Sequence, residues 1–226
     1  METHVAAKRA GLARTCVAAA TLRRPLDPGC RATHDQDMIR HDGTLTGQLL
    51  IAMPALGDPR FHRSVVCVCA HSEQGAMGLI VNRPTPQMRF GALLDSMGIP
   101  RGDRMGDIRV HYGGPVERQR GFVLHSDEVR LDRGTLAFAD GIAMTATRNI
   151  LEQISRGGGP RAAVMALGYA GWGPGQLESE IARNDWLTAA PRDDIVFGRA
   201  DEFKWAAALK SIGVDPLGLS AVGGRA

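Results

Sequence analysis

The sequence predicts an α+β fold built on a mixed β-sheet with about four flanking helices. The chain has 226 residues, of which 44% are hydrophobic and 23% are charged. This balance is typical of one globular domain, or at most two small ones. About six apolar segments of strand length alternate irregularly with the helical segments. Neighbouring strand segments are often separated only by short turns, and this order favours a mixed sheet over a doubly wound parallel one.

The first predicted elements are strands. Residues 47–53 form a buried apolar run, and a loop containing Pro59 follows it. Residues 63–71 are apolar and rich in β-branched side chains, and residues 77–81 are apolar again. A turn at residues 72–75 separates these two runs, so they predict a β-hairpin.

Helices and further strands follow in the rest of the chain. The predicted helices have apolar residues at helical spacing, or a glycine or proline at a boundary. They comprise residues 90–97, 147–154, 173–183 and 201–212. The remaining predicted strands are residues 108–112, 122–125 and 162–167.

Charge, apolar run length and cysteine content exclude several classes of protein. Residues 1–37 supply +2 of the net charge of +3, so the rest of the chain is nearly neutral. Its apolar runs are all shorter than the roughly 18 residues that a membrane-spanning helix needs. Four cysteines in a chain of this length are too few for a disulfide framework. We therefore expect reduced thiols and a cytoplasmic location.

Residues 1–42 differ in composition from the rest of the chain. They contain alanine clusters and scattered arginines, and they lack aromatic residues. A secretory signal fits poorly, because its apolar part would be only seven residues long. A targeting segment, a disordered extension, or an overextended start with the true initiator at Met38 are the alternatives. We expect one domain over residues 43–226.

A metal site and a serine hydrolase are both disfavoured by geometry. Cys67, Cys69 and His71 share one strand face, but side chains two apart lie about 6.5–7 Å from each other. Two thiolates on one zinc ion must be closer than about 4.6 Å. His125 and Ser126 are adjacent in a strand, so they point to opposite faces and cannot form a relay. We expect no metal, no cofactor and no catalytic residue.

Other patterns leave alternatives open. The glycines of residues 157–160 lack the lysine and hydroxyl residue of a phosphate-binding loop. Residues 171–175 open a helix that could hold an anion, although Glu178 and Glu180 already supply negative charge there. Residues 83–120 carry seven arginines and a net charge of +3, whereas residues 176–202 carry −4. Such opposite charge could serve nucleic-acid binding, self-association or a protein partner.

A set of motifs resembles the YqgE/AlgH family of bacterial proteins. The resemblance extends from about residue 43 to the carboxyl terminus, in matching order. It rests on L-L-I-A-M-P-A-L-G-D-P-R-F-H-R-S-V-V (49–66), G-A-M-G-L-I-V-N-R-P (75–84), G-G-P (113–115), G-F-V-L-H (121–125), A-L-G-Y-A-G-W (166–172), G-Q-L-E-S-E-I (175–181) and N-D-W-L (184–187).

This resemblance implies an α+β fold with a strongly bent, barrel-like sheet and a bacterial cytosolic location. It implies no reaction, and members are sometimes labelled transcriptional regulators. Polar and aromatic residues at strand ends and loops of these motifs form the candidate binding set. The set is Asn82, Arg83, His125, Tyr169, Trp172, Gln176 and Asn184. Trp172 lies between glycines. Its ring is either exposed and able to contact a ligand, or it closes the edge of the core together with Trp186.

Three functional hypotheses follow. The preferred one is a cytosolic, non-catalytic binding or regulatory protein that contacts a protein partner or small ligand near Asn82, Arg83 and Trp172. The second is direct DNA binding through the arginine-rich segment. The third is a hydrolase that acts on an anionic substrate near residues 171–175.

Overall fold

The computed structural model describes residues 44–103, 105–106, 108–131 and 134–219, so the expectations for residues 1–42 lie outside the described part. Nine strands and five α-helices occur in these ranges. The strands are β1 (Leu49–Ala52), β2 (Val65–Ser72), β3 (Gly75–Ile80), β4 (Arg109–Tyr112), β5 (Val116–Ser126), β6 (Thr135–Ala139), β7 (Ile142–Thr145), β8 (Ala163–Trp172) and β9 (Trp186–Ala189). The helices are α1 (Phe90–Ser96), α2 (Arg148–Ser155), α3 (Gln176–Ala182), α4 (Asp193–Val196) and α5 (Lys204–Ser211).

The strands form one strongly curled, half-barrel sheet, which confirms the predicted fold class. Their order is β6-β7-β5-β8-β3-β2-β1-β9, and β4 lies beside β8. β4 and β8 run parallel, whereas the other pairs of described strands are antiparallel, so the sheet is mixed. The predicted hairpin is present as β2 and β3. None of the helices in the described ranges is long and apolar enough to cross a membrane.

Strand β8 joins the two halves of the sheet. Its first part pairs with β4 and β5, and its last three residues pair with β3. Between these parts Gly168 adopts a φ of +74°, and the connection from β4 to β5 passes directly over it. A Cβ added at Gly113 would lie 2.2 Å from the carbonyl oxygen of Gly168. The glycines therefore permit a backbone approach that a larger residue would block.

Both faces of β1 are buried, which explains its continuous apolar sequence. Leu49 and Ile51 pack in one core cluster with Trp205 of α5. Leu50 packs on the opposite face with Trp186. A third cluster lies under α1 and α2. Successive strand residues thus enter different clusters, as the alternation of side chains in a strand requires.

We expect Gly113→Ala to lower the free energy of unfolding by more than about 2 kcal/mol, because the new methyl group would overlap the β8 backbone. Gly57→Ala is the matched control, since a Cβ at that position would meet no atom within 4 Å. Urea unfolding of both variants measures the difference. Equal stability of the two variants would contradict the proposed close approach.

Candidate functional site

The loop between β1 and β2, residues Asp58–Ser64, carries strained backbone. Arg63 has a φ of +51°, in the left-handed region that non-glycine residues rarely adopt. At the start of the loop, the side chain of Asp58 accepts a hydrogen bond from the backbone of Arg60 at 2.9 Å. The guanidinium of Arg63 lies 5.1 Å from the ring centre of Trp205. Strain of this kind persists only where surrounding contacts enforce it, and it concentrates at functional sites.

Asn82 and Arg83, which follow β3, provide such contacts. The amide nitrogen of Asn82 donates to the carbonyl oxygen of Arg63 at 2.8 Å, and its amide oxygen accepts from the backbone of Val65 at 2.9 Å. Arg83 donates to the carbonyl oxygen of His62 at 2.6 Å. Burial lowers the pKa of the half-buried Arg83 guanidinium. Both residues thus hold the loop from the β3 side.

An aromatic cluster holds the other side of the loop. The ring of Phe61 lies 6.5 Å from Trp172 and 5.5 Å from Trp186. One carboxylate oxygen of Glu180 accepts both indole N–H groups at 2.8 Å. Gln176 donates to the other oxygen of Glu180, also at 2.8 Å. Trp172 is only 7% exposed, so it closes the edge of the core together with Trp186.

A cavity of about 370 Å³ lies beside the loop, and we call it the loop groove. Its lining residues are His62, Arg63, Asn82, Arg83, Asp201, Glu202, Trp205, Ala206, Pro216 and Leu217. Arginine side chains and a tryptophan meet there. Leu217 at its edge is 94% exposed. This combination of guanidinium, aromatic and apolar groups is typical of sites where protein interfaces concentrate binding energy.

A buried ionic cluster underlies the loop groove. One carboxylate oxygen of Asp201 accepts from Lys204 at 3.0 Å and contacts Nε2 of His111 at 3.1 Å. Its other oxygen pairs with Arg109. Burial opposes ionisation of Asp201, but the hydrogen bonds from His111 and Lys204 outweigh it and lower the pKa of the carboxyl group. The carboxylate is therefore ionised and fully engaged.

Lys204 connects this cluster to the segment after β3 and to helix α4. Its ammonium donates to the carbonyl oxygens of Val81 at 2.8 Å and Val196 at 3.0 Å. Burial lowers the pKa of Lys204 to about 8, against the opposing effect of Asp201. With the bond to Asp201, three donor contacts use the three protons of the ammonium. Lys204 therefore acts as a structural cation.

His125 lies in the core rather than in the loop groove. It is fully buried, and its Nδ1 donates to the carbonyl oxygen of Ser126 at 2.9 Å, while Nε2 accepts from Thr145 at 2.8 Å. Burial lowers the pKa of the imidazole. The hydroxyl of Ser126 donates to Glu128 at 2.8 Å. His125 and Ser126 therefore form no relay, as their adjacency predicts.

Two other candidate residues also lie outside the groove lining. The ring of Tyr169 packs edge-on against Phe122, with 5.9 Å between centroids. Asn184 is exposed after the end of α3 and has a φ of +60°, so it makes the turn that leads into β9. The structure thus brings Asn82, Arg83 and Trp172 to the Asp58–Ser64 loop, with Gln176 joined to Trp172 through Glu180, although Trp172 and Gln176 do not line the groove. His125, Tyr169 and Asn184 lie at other positions.

The residues considered for metal binding or hydrolysis have other partners. Cys67 and Cys69 are buried free thiols, and the thiol of Cys69 donates to the carbonyl oxygen of Cys67 at 3.6 Å. Nδ1 of His71 accepts from the backbone of Leu45 at 3.1 Å, which leaves Nε2 to donate to Glu178 at 2.5 Å. Both ring nitrogens of His71 are therefore occupied.

Several residues of the site cannot be identified from the sequence. Arg63 sits in a motif of the resemblance but carries no signal of its left-handed backbone. Asp201 and Lys204 resemble ordinary surface charges of a helix start. Their partner His111 is 90 residues away from Asp201 in the chain, and only the folded sheet brings them together.

The fold and the site define a half-barrel α+β domain with a groove beside a strained loop. A family model described as DUF179, AlgH-like, matches residues 49–217. The UPF0301 protein of Paracoccus denitrificans is 56% identical over 184 residues, which cover 80% of this chain and 97% of that relative. The chain belongs to the YqgE/AlgH family, which confirms the resemblance.

Two solved structures are similar to this fold. The solution structure of the AlgH protein from Pseudomonas aeruginosa has a TM-score of 0.67 at 35% identity, and the match covers 86% of this chain and 100% of that one. The crystal structure of protein DIP2367 from Corynebacterium diphtheriae has a TM-score of 0.60 at 21% identity, over 73% of this chain and 85% of that one. The second likeness concerns the fold alone. These names state no reaction or ligand.

We expect Asp201→Asn to lower the free energy of unfolding at neutral pH by about 3 kcal/mol or more, because it leaves three buried cationic or polar partners uncompensated. The difference from wild type should narrow as the pH falls below about 3.9, since the lowered pKa of Asp201 contributes stability only where the unfolded carboxyl is ionised. Urea unfolding at several pH values measures both effects. Glu117→Gln, which removes an exposed ion pair with Arg120, is the control and should change little.

We expect the stability of the wild-type protein to fall as the pH drops from about 6.5, because the unfolded chain then binds a proton that buried His125 resists. His125→Gln should remove this component and flatten the profile of unfolding free energy against pH. His62→Gln, at an exposed position, is the control. An unchanged profile in His125→Gln would show that another group causes the pH dependence.

Proposed function

We propose that this protein is a non-catalytic binding module that recognises a protein partner through the loop groove. The observation that carries the proposal is the strained Arg63, whose backbone is fixed by Asn82 and whose side chain lies over Trp205. A fixed loop that presents a guanidinium loses little conformational entropy when it binds. Rigid presentation of this kind suits recognition.

The chemistry of the groove favours a partner segment that combines an acidic group with an apolar side chain. Arg63 and Arg83 offer guanidinium groups to a carboxylate. Trp205 and the exposed Leu217 offer apolar surface beside them. The carboxylates of Asp201 and Glu202 also line the groove. The charge of Asp201 is balanced by its buried partners, so the exposed Glu202 is the acidic group that the guanidinium groups of Arg63 and Arg83 must outweigh.

The alternatives of DNA binding and hydrolysis have less support. Arg109 is turned into the buried cluster, Arg101 pairs with Asp95, and Arg120 pairs with Glu117 at 3.1 Å. These three arginines are therefore ion-paired and do not form a continuous basic surface. Hydrolysis near residues 171–175 would require Glu178, which is engaged by His71. We also propose a cytoplasmic location, which suits the two buried free thiols.

A photo-crosslinking amino acid placed at Leu217 tests the proposal in the cells that produce the protein. We expect one discrete adduct, and we expect Arg63→Gln to reduce its yield about tenfold or more, because a charge-assisted contact is worth about 1.5–3 kcal/mol. Arg60→Gln is the matched control, since the exposed Arg60 lies in the same loop but outside the groove lining.

A crosslinker at Leu136, which is 44% exposed on β6 and outside the groove, provides the positional control. Equal adducts from positions 136 and 217, or an adduct indifferent to Arg63→Gln, would contradict the proposal. The mass of the adduct separates a protein partner from a small ligand.

A further inference from the structure

The surface around the loop groove carries large apolar side chains that the fold leaves exposed. Phe203 is 65% exposed, and Leu217 at the edge of the groove is 94% exposed. Among the described residues, these are the two most exposed of the large hydrophobic side chains. Phe203 directly follows Glu202 and precedes Ala206 by three residues, and both of these line the groove. Because α5 begins at the next residue, Phe203 lies beside the groove on the same helical surface.

Charges of both signs lie on this surface without neutralising each other. The guanidinium of Arg63 contacts the ring of Trp205, and it has no carboxylate partner in the part of the chain that the structure describes. The exposed carboxylate of Glu202 forms no ion pair with any described residue. Both groups line the loop groove. Each can therefore bind a group of opposite charge on another molecule.

This surface is complementary to a second copy of itself. The groove favours a partner segment that combines an acidic group with an apolar side chain, and the adjacent, exposed Glu202 and Phe203 are such a segment. In an interface with two-fold symmetry, every contact between two different residues occurs twice. Glu202 of one copy would meet Arg63 of the other, and the reverse pair would form at the same time. One patch thus supplies both halves of the interface.

We propose that the partner bound by the loop groove is a second copy of this chain, and this inference rests on the function proposed above. Phe203 and Leu217 supply most of the affinity, because burial of apolar surface is the main favourable contribution to association. The two pairs of Glu202 with Arg63 fix the orientation, since complementary charges determine specificity more than affinity. The fixed backbone of Arg63 keeps the entropic cost of association low.

Sedimentation equilibrium of the full chain over a range of concentrations tests this proposal. We expect a mass that rises with concentration from one chain to two. Glu202→Arg should raise the dissociation constant of the dimer about a hundredfold, because symmetry removes two charge-assisted contacts at once, each worth about a factor of ten. Glu73→Arg is the matched control, because Glu73 is exposed in the turn between β2 and β3, lies outside the groove lining and undergoes the same change in charge.

A mixture of two charge-reversed variants tests the pairing itself. Arg63→Glu alone should dissociate like Glu202→Arg, because like charges then face each other in both contacts. In an equal mixture of the two variants, the heterodimer again has two pairs of opposite charge, so we expect it to form with nearly the wild-type affinity. Phe203→Ser, at an exposed position, should weaken the dimer about tenfold or more through loss of a central aromatic contact. Circular dichroism verifies that the variants fold.

The crosslink at Leu217 distinguishes failure of the dimer from failure of the proposed function. An adduct with twice the mass of one chain supports the dimer. A wild-type protein that stays monomeric, together with an adduct of any other protein mass, would overturn the dimer and leave the proposed function standing. A monomeric protein without any adduct would overturn both. A dimer that neither charge reversal weakens, or a mixture of the two variants that stays monomeric, would overturn the pairing of Glu202 with Arg63.

Discussion

The carboxylate of Asp201 joins β4 to α5 beneath the loop groove. It binds Arg109 and His111 of β4 and Lys204 of α5, and Lys204 reaches the carbonyl oxygen of Val81 beyond the end of β3. Charges removed from water are tolerated only when each has partners, so these elements must assemble together. Asp201 lines the loop groove, and Arg109 lines a second cavity at the start of β4. The two partners of one ion pair therefore belong to the walls of two different cavities.

The geometry of the Asp58–Ser64 loop depends on residues that a partner need not touch. Asn82 satisfies two backbone groups of the chain around the loop, and Phe61 packs against the tryptophan pair whose indoles bind Glu180. These side chains act by positioning. The groups left to meet the proposed partner are the guanidinium groups of Arg63 and Arg83 and the apolar surface of Leu217.

Individual strands and hairpins of this fold can be predicted from the sequence, whereas the pairing of strands that are distant in the chain cannot. Continuous apolar runs predict β1 and the β2–β3 hairpin, because both faces of those strands are buried. The β6–β7 hairpin is not among the predicted elements, although Asp140 and Gly141 form a two-residue turn typical of hairpins. Short β9 lies against β1 and owes its strand conformation to that pairing. Periodicity carries no information about such partners.

The candidate site likewise contains residues that the sequence identifies and contacts that it does not predict. Motif resemblance and strand-end positions pointed to Asn82, Arg83 and Trp172, and the structure gathers these at one loop. Whether Trp172 is exposed could not be decided from flanking glycines, because its burial depends on Phe61 and Trp186 from distant segments. The Asp201 cluster requires contacts across 90 residues, which composition and spacing do not encode.

The central place of β8 also governs how the chain can fold during synthesis. β3, β4 and β5 all find a neighbour in a strand that begins only at Ala163, and β1 finds one in β9, at residues 186–189. Before those residues leave the ribosome, the strand groups β1–β2–β3 and β5–β7–β6 are the ones that the chain can complete, and β4 still waits for β8. The edges of β1, β3 and β5, and the whole of β4, therefore stay unpaired through most of translation. Their exposure makes the nascent chain dependent on slow, late closure of the sheet, and sensitive to aggregation until that closure occurs.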